Sequence, residues 1–176
     1  NDNNSFAKVD ELSKPSRQVS VEERIKRVRA MFEDSGILES TAKTRDDHEK
    51  ITRFLGQGND TNTNRCKIQF FMTWISPDSF FSTRDMLTLE SIFKSHPEGC
   101  VVILSKSMAS EPGRKMVETL ISRGYRVLVV TPDFNLVFNN TPAVKVLDRL
   151  ESGSLDTGAI PINQNLSNQF RLGTLF

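Results

Sequence analysis

The 176-residue chain carries 23 basic and 22 acidic side chains, for a formal net charge of +1, and 37% of its residues are hydrophobic. This balance excludes the strong positive field of a nucleic-acid-binding protein, so no nucleic acid is expected as a partner. The length suits one ordinary domain, or a smaller domain preceded by an arm.

The first part of the chain, residues 1–65, is rich in Asn, Asp, Ser, Lys and Arg. Its apolar spacing predicts one helix at 20–36 and a second, weaker helix at 46–56. A polar linker follows at 57–65. We therefore expect residues 1–65 to form a polar stem or arm that contributes little to the core and nothing to a ligand site.

From residue 66 onward, short apolar runs alternate with amphipathic segments. Continuous apolar strands joined by helices are typical of a parallel sheet that is covered on both faces. The predicted fold class is therefore α/β, a Rossmann-like parallel sheet with flanking helices. The predicted strands are 67–75, 100–106 and 125–131, and the predicted helices are 82–97, 110–124, 141–153 and 165–176.

Ligands of such sheets bind beyond the carboxyl ends of the strands, where this sequence has no glycine-rich phosphate loop. Trp74, the single tryptophan, follows the first strand. Its indole either stacks on a nucleotide base or plugs the rim of the core. Arg171 lies on an apolar predicted helix and either binds a diphosphate or forms a surface ion pair. Neither His48 nor His96 has a spaced partner, so no zinc pattern is present.

Three segments together resemble a known family: CKIQFFMTWISPDSFFSTRDMLTLESIFKSHPEGCVVILSKSM, GYRVLVVTPD and IPINQNLSNQFRLGTLF. They are similar to the plant α-1,4-glycosyltransferase-like family, which carries a DxD sugar-binding region and is similar to globotriaosylceramide synthase. The resemblance covers about residues 65–176. It implies that residues 66–176 are the nucleotide-sugar-binding, N-terminal half of a GT-A fold.

The resemblance also implies which residues face the donor nucleotide-sugar. Trp74 matches a tryptophan near the nucleotide base, and Ser167 and Arg171 match a segment that usually reads Ser-Asp-x-x-Arg. Asn168 stands where many relatives have aspartate, and it is retained among the candidate donor contacts. No catalytic residue and no metal ligand is assigned within the chain.

In relatives the last helix leads into the DxD motif, whose aspartates bring a divalent cation, typically manganese, to the diphosphate. No Asp-x-Asp occurs in this sequence. We therefore expect an inactive N-terminal fragment of a glycosyltransferase that would transfer sugar from a UDP-sugar to a glycan or glycolipid acceptor. The alternative is a non-catalytic Rossmann-like module that binds a nucleotide or a partner.

The resemblance implies the Golgi lumen as the compartment, with membrane attachment only through an N-terminal anchor outside these residues. Cys66 and Cys100 lie at the starts of the first and second predicted strands, which are side by side in a parallel sheet. They are either a disulfide or two reduced thiols at the edge of the sheet. Four sequons are possible N-glycosylation sites, at Asn3, Asn59, Asn139 and Asn165.

Overall fold

The computed structural model describes residues 19–35, 39–56, 66–139, 141–156, 158, 164, 167–168 and 171. Within these residues a three-stranded parallel sheet is flanked by helices, which confirms the predicted α/β class. The strands are β1 (Gln69–Thr73), β2 (Cys100–Leu104) and β3 (Arg126–Val130), in the spatial order β1-β2-β3. The helices are α1 (Val21–Ser35), α2 (Ala42–Leu55), α3 (Thr83–Ser95), α4 (Glu111–Ser122), α5 (Phe134–Phe138) and α6 (Val144–Glu151), with a 3-10 turn at Asp78–Phe80.

The central strand β2 is wholly buried, as its run of apolar residues predicts. Successive side chains of a strand point to opposite faces. Val101 and Ile103 accordingly enter one hydrophobic cluster, while Val102 and Leu104 enter another. The sheet is therefore covered on both sides.

On the first face, α3 and α4 pack against the sheet through Leu89, Phe93, Val117 and Leu120, all nearly inaccessible to solvent. Each helix begins at the predicted polar cap. Ser82 starts α3 in a capping box with Asp85, and Ser110 starts α4 by accepting a hydrogen bond from the backbone of Gly113.

The second face is covered by α2, which belongs to the predicted stem. Leu55 is 1% exposed and packs with Val102, Leu104 and Val130 of the sheet. The expectation that residues 1–65 contribute little to the core is therefore wrong for this helix. The division of the chain into a stem and a nucleotide-binding half stays a prediction.

A third hydrophobic cluster joins α1, α5 and α6, through Val28, Phe134, Val137, Phe138, Leu147 and Leu150. Arg24 of α1 also forms a bidentate ion pair with Asp156, with both N···O distances at 2.8 Å. The hydrogen bonds from Arg24 lower the pKa of Asp156 to about 2. The first helix of the arm is thus also attached to the domain.

Cys66 and Cys100 form a disulfide, with their Cα atoms 5.9 Å apart. Both cysteines are buried beside Leu55, so the bridge joins the start of β2 to the segment that precedes β1. The disulfide is one of the two alternatives that the sequence left open, and it links two strand starts that lie side by side.

Three local differences from the sequence prediction have simple physical causes. The helix α2 begins at Ala42 rather than at residue 46, because Thr41 and Thr44 form a capping box. The short helix α5 was not predicted. The third predicted helix begins at Val144, because the Thr141 hydroxyl accepts a hydrogen bond from the Ala143 backbone before the helix starts.

No helix in the described residues combines the length and the apolar character needed to cross a membrane.

Candidate functional site at the carboxyl edge of the sheet

The carboxyl ends of the three strands meet at one edge, which we call the carboxyl edge and define by Trp74, Ser105 and Thr131. The ladder continues one residue past β1 and past β2. The Trp74 backbone N–H donates to the Leu104 carbonyl at 3.1 Å, and the Ser105 N–H donates to the Val130 carbonyl at 2.9 Å. The edge is therefore rigidly aligned at the position where ligands bind in open α/β sheets.

The C-terminal segment reaches this edge through Ser167. Its hydroxyl lies 2.6 Å from that of Thr73, the last residue of β1. Arg171, one helical turn later, donates to the Ser167 hydroxyl at 3.2 Å and to its carbonyl at 3.3 Å. Two of the candidate donor contacts, Ser167 and Arg171, are thus brought together at the end of β1.

Trp74 directly follows Thr73 along the chain but turns to the other face of the sheet. Its ring meets the Phe81 ring edge-on, at 5.0 Å between centroids, and its Nε1 donates to the Pro77 carbonyl at 3.2 Å. It packs against the same cluster as Phe70 and Met72. These contacts match the rim-plug alternative, while the partial exposure of the side chain leaves part of it accessible at the edge.

Asn168 is exposed and helical beside Ser167. The rest of the predicted tail helix, apart from Arg171, lies outside the described residues. The sequon asparagines Asn3, Asn59 and Asn165 also lie outside them. Asn139, at the end of α5, is described and is exposed.

The loops that follow β1 and β2 are joined by hydroxyl groups. Ser107 donates to the Ser76 carbonyl at 2.7 Å, and Ser110 donates to the Asp78 carboxylate at 3.3 Å. These contacts fix the two loops to each other beside Trp74. The Asp78 carboxylate therefore serves as a structural hydrogen-bond acceptor, in keeping with its place in a turn.

The arm also supplies polar groups to the carboxyl edge, which sequence reasoning missed. Asp47 of α2 is completely buried, and its carboxylate accepts hydrogen bonds from the Thr131 backbone at 3.1 Å, from Lys43 at 3.0 Å and from Lys50 at 2.9 Å. Burial raises the pKa of Asp47, but the hydrogen bonds from Lys50, Lys43 and Thr131 outweigh burial and hold it below its ordinary value. The carboxylate therefore stays ionised.

A second buried carboxylate, Asp133, follows β3 and begins α5. Its Oδ2 accepts from the hydroxyls of Ser40 and Thr44, each at 2.7 Å, and its Oδ1 accepts from the Leu136 backbone. Burial raises the pKa of Asp133, yet these hydrogen bonds outweigh burial and lower it. The start of α2 is thus bound to the end of β3 at two adjacent points.

The described residues do not fit a divalent cation. They contain no group of three or more His, Cys, Asp or Glu side chains suited to hold a metal. The two buried carboxylates at this edge, Asp47 and Asp133, are already occupied by ammonium, hydroxyl and backbone donors. No step of any reaction is therefore assigned to a metal held by these residues.

Comparison with known proteins gives two matches. A family model described as "Glycosyltransferase sugar-binding region containing DXD motif" matches residues 82–176, more than half of the chain. An uncharacterized protein of Arabidopsis thaliana is 31% identical over 78 residues, which are 44% of this chain and 12% of that protein. The chain therefore spans only a small part of the length of that relative. No solved structure matches.

Proposed function

The chain belongs to the family of glycosyltransferase sugar-binding regions that contain a DXD motif, and from this premise we propose that its carboxyl edge binds the nucleotide of a nucleotide-sugar donor. The observation that carries the proposal is the hydrogen bond between Ser167 and Thr73, because it sets Arg171 beside the end of β1. A UDP-sugar is the proposed donor, and a glycan or glycolipid is the proposed acceptor of the whole protein.

The chemistry of glycosyl transfer explains why a positively charged side chain is needed at this edge. The bond between the anomeric carbon and the diphosphate breaks, and negative charge develops on the departing nucleoside diphosphate. Preorganised donors that face this charge supply much of the rate enhancement in such sites. In a chain without a glycine-rich loop, the exposed Arg171 is suited to this task, because its planar guanidinium matches phosphate oxygens.

The proposed roles of the other candidates follow from their positions. Ser167 orients Arg171 and offers a hydroxyl at the edge. Asn168, exposed next to it, offers an amide toward the sugar. The accessible part of Trp74 offers an apolar surface for the base, a contact worth about 1–3 kcal/mol when a base stacks fully on an aromatic ring.

We further propose that these 176 residues, tested alone, bind the nucleotide but do not catalyse sugar transfer. They contain no Asp-x-Asp, and the described residues do not fit a divalent cation. In the family the metal would supply electrophilic stabilisation of the diphosphate. Here the chain's own groups would contribute binding and orientation only.

We also propose that the protein works in the secretory route, in the Golgi lumen. The Cys66–Cys100 disulfide supports an oxidising compartment, since disulfides rarely persist in the cytosol. In that compartment the exposed Asn139 is the proposed glycan acceptor among the described residues.

The test is titration of the purified chain with UDP and UDP-sugars, with and without manganese, followed by the emission of Trp74. This single tryptophan reports directly on the carboxyl edge. We expect weak, metal-independent binding and no release of sugar. Measurable turnover or tight manganese-dependent binding would contradict the proposal.

Two arginine variants give a matched comparison. Arg171→Ala is expected to weaken UDP binding about ten- to a hundredfold, since charge-assisted hydrogen bonds contribute about 1.5–3 kcal/mol. Arg123→Ala is the control, because Arg123 pairs with Glu90 and lies over the Tyr125 ring at the end of α4. Equal UDP affinity in the two variants would count against a donor role for Arg171.

A further inference from the structure

Lys43 of α2 is held at the carboxyl edge by an unusual anchor. Its Nζ lies 3.0 Å from Asp47 Oδ2 and 3.5 Å from the hydroxyl of Thr131, the first residue after β3. Asp47 itself is tied to the Thr131 backbone at 3.1 Å. The lysine side chain is nevertheless 64% exposed, whereas the Asp47 side chain is 1% exposed. A buried carboxylate thus holds a solvent-facing ammonium group over the end of β3.

Lys43 and Ser167 occupy the same face of the sheet. Along β1, Phe71 packs on the α2 side, and the alternation of a strand places Thr73 on that side as well. Ser167 bonds to Thr73, so it approaches from the side that α2 covers. The sequence gives no hint of this, because Lys43 precedes the region that resembles glycosyltransferases.

The two groups are also at a suitable separation. Thr73 pairs with Leu104, and Leu104 pairs with Val130, so the ends of β1 and β3 are two strand spacings apart, about 10 Å. A nucleoside diphosphate is long enough to lie across that span. The diphosphate would lie between the two groups, with the Arg171 guanidinium on one side and the Lys43 ammonium group on the other.

The two carboxylates nearest to Lys43 are buried, and their oxygens are already occupied by donors. Asp47 is paired with two ammonium groups, from Lys43 and Lys50, and Asp133 accepts hydrogen bonds from two hydroxyls and a backbone N–H. The N-terminus of the 14-residue α2 also lies at this edge, so its dipole adds positive potential there. Of the charged groups of Lys43, Asp47 and Asp133, the ammonium group is therefore the one exposed to solvent.

From this arrangement we infer that Lys43 is a further donor-binding residue, which contacts the diphosphate of the nucleotide across the end of β3. The inference rests on the proposed function and deepens it. It assigns to the arm a direct share in the site.

The chain contains a closely matched control. Lys50 binds the same carboxylate, with its Nζ 2.9 Å from Asp47 Oδ1 and 2.7 Å from the Asp46 carboxylate. It lies almost two helical turns further from the start of α2 than Lys43 does. Lys43→Gln and Lys50→Gln therefore remove the same kind of bond to Asp47. They differ in whether the lost charge lies at the carboxyl edge.

The experiment measures the affinity of the full chain and of three variants, Lys43→Gln, Lys43→Arg and Lys50→Gln, for UDP and for uridine by calorimetry, with thermal melts as a check on folding. Lys43→Gln should weaken UDP binding about tenfold and leave uridine binding unchanged, and Lys43→Arg should restore most of the UDP affinity. Lys50→Gln should bind UDP within about twofold of the unmodified chain.

Two results would overturn the inference while leaving the proposed function intact. One is UDP binding by Lys43→Gln that equals that of the unmodified chain. The other is an equal loss of affinity for UDP and uridine. An unmodified chain that binds no UDP would instead overturn the proposed function, and the inference with it.

Discussion

The hydroxyl groups of Thr73 and Ser167 lie 2.6 Å apart, although 94 positions separate the two residues in the chain. This contact brings the C-terminal segment to the end of the first strand. It also places Arg171, which donates to the same Ser167 hydroxyl, where an anionic ligand of the sheet would bind.

Removal of the Ser167 hydroxyl tests whether this contact supports ligand binding. Ser167→Ala loses the bonds to Thr73 and Arg171, and we expect UDP affinity to fall about three- to tenfold, since one hydrogen bond contributes about 0.5–1.5 kcal/mol. Calorimetry measures the change. Ser122→Ala is the control, because the Ser122 hydroxyl donates to the Glu118 carbonyl within its own helix, α4. Identical affinities for the two variants would exclude this role for Ser167.

The role of α2 as a layer of the domain is tested at Leu55. This side chain is 1% exposed against the sheet, so Leu55→Ala should lower the free energy of unfolding by about 2–5 kcal/mol. Leu87→Ala is the matched control, because Leu87 is 57% exposed on α3 and should change stability by about 0.5 kcal/mol or less. Urea denaturation followed by circular dichroism gives both values. A mild effect at Leu55 would restore the view of the arm as a detachable stem.

The Cys66–Cys100 disulfide closes a loop with a sequence separation of 34. Loop-closure entropy predicts a contribution of about 3–4 kcal/mol to the free energy of unfolding. The double variant Cys66→Ala with Cys100→Ala, which leaves no unpaired thiol, should show this loss in denaturant at neutral pH. An unchanged denaturation midpoint would show that the bridge does not stabilise the fold by constraining the unfolded chain.

The two buried carboxylates predict a loss of stability in acid. The pKa values of Asp47 and Asp133 are lowered in the folded state from an ordinary value of 3.8, in each case because hydrogen bonds outweigh burial. Their contribution is therefore fully present above the unfolded value and is lost as pH falls below about 4 toward the folded values. Denaturation curves collected as a function of pH should show this decline.

A variant pair separates this effect from general acid unfolding. Asp47→Asn should cost about 1–3 kcal/mol at neutral pH and should flatten the acid decline, because a buried acceptor of charged donors is lost. Asp46→Asn changes the adjacent carboxylate, whose side chain is 53% exposed, and should cost at most about 1 kcal/mol. An unchanged acid decline in Asp47→Asn would show that Asp47 does not cause it.

The sheet was predictable because its strands are continuous apolar runs. Cys100–Leu104 is buried throughout. Continuous apolar runs that alternate with helices along the chain are typical of the buried strands of a parallel sheet. The starts of α3 and α4 were predictable for a similar reason, since Ser82 and Ser110 are strong helix caps.

The place of α2 was harder to predict because its buried face is partly polar. Thr44 and Asp47 are buried along with Leu55, so the inward face does not show a clean apolar stripe. Helix periodicity alone cannot distinguish such a face from a solvated one. The spacing of Lys43, Asp47 and Lys50 was the available signal, but on sequence it looks like ordinary surface ion pairs.

Trp74 shows a second limit of sequence reasoning. Its position after β1 was evident, but the face to which the indole turns depends on the Pro77 carbonyl, just before the 3-10 turn, and on the Phe81 ring. Ser167 was singled out only by family resemblance. Its contact with Thr73 spans most of the domain and leaves no local pattern in the sequence.

Nucleotide binding at the carboxyl edge is tested most directly by photo-crosslinking of the full chain with an azido derivative of UDP, followed by mass spectrometry of the modified peptides. We expect labelling of peptides that contain Thr73 and Trp74 or Ser167 and Arg171, and competition by unmodified UDP. Labelling confined to the shallow pocket at the opposite edge of the sheet, lined by Lys67, His96 and Gly99 among others, would contradict the account.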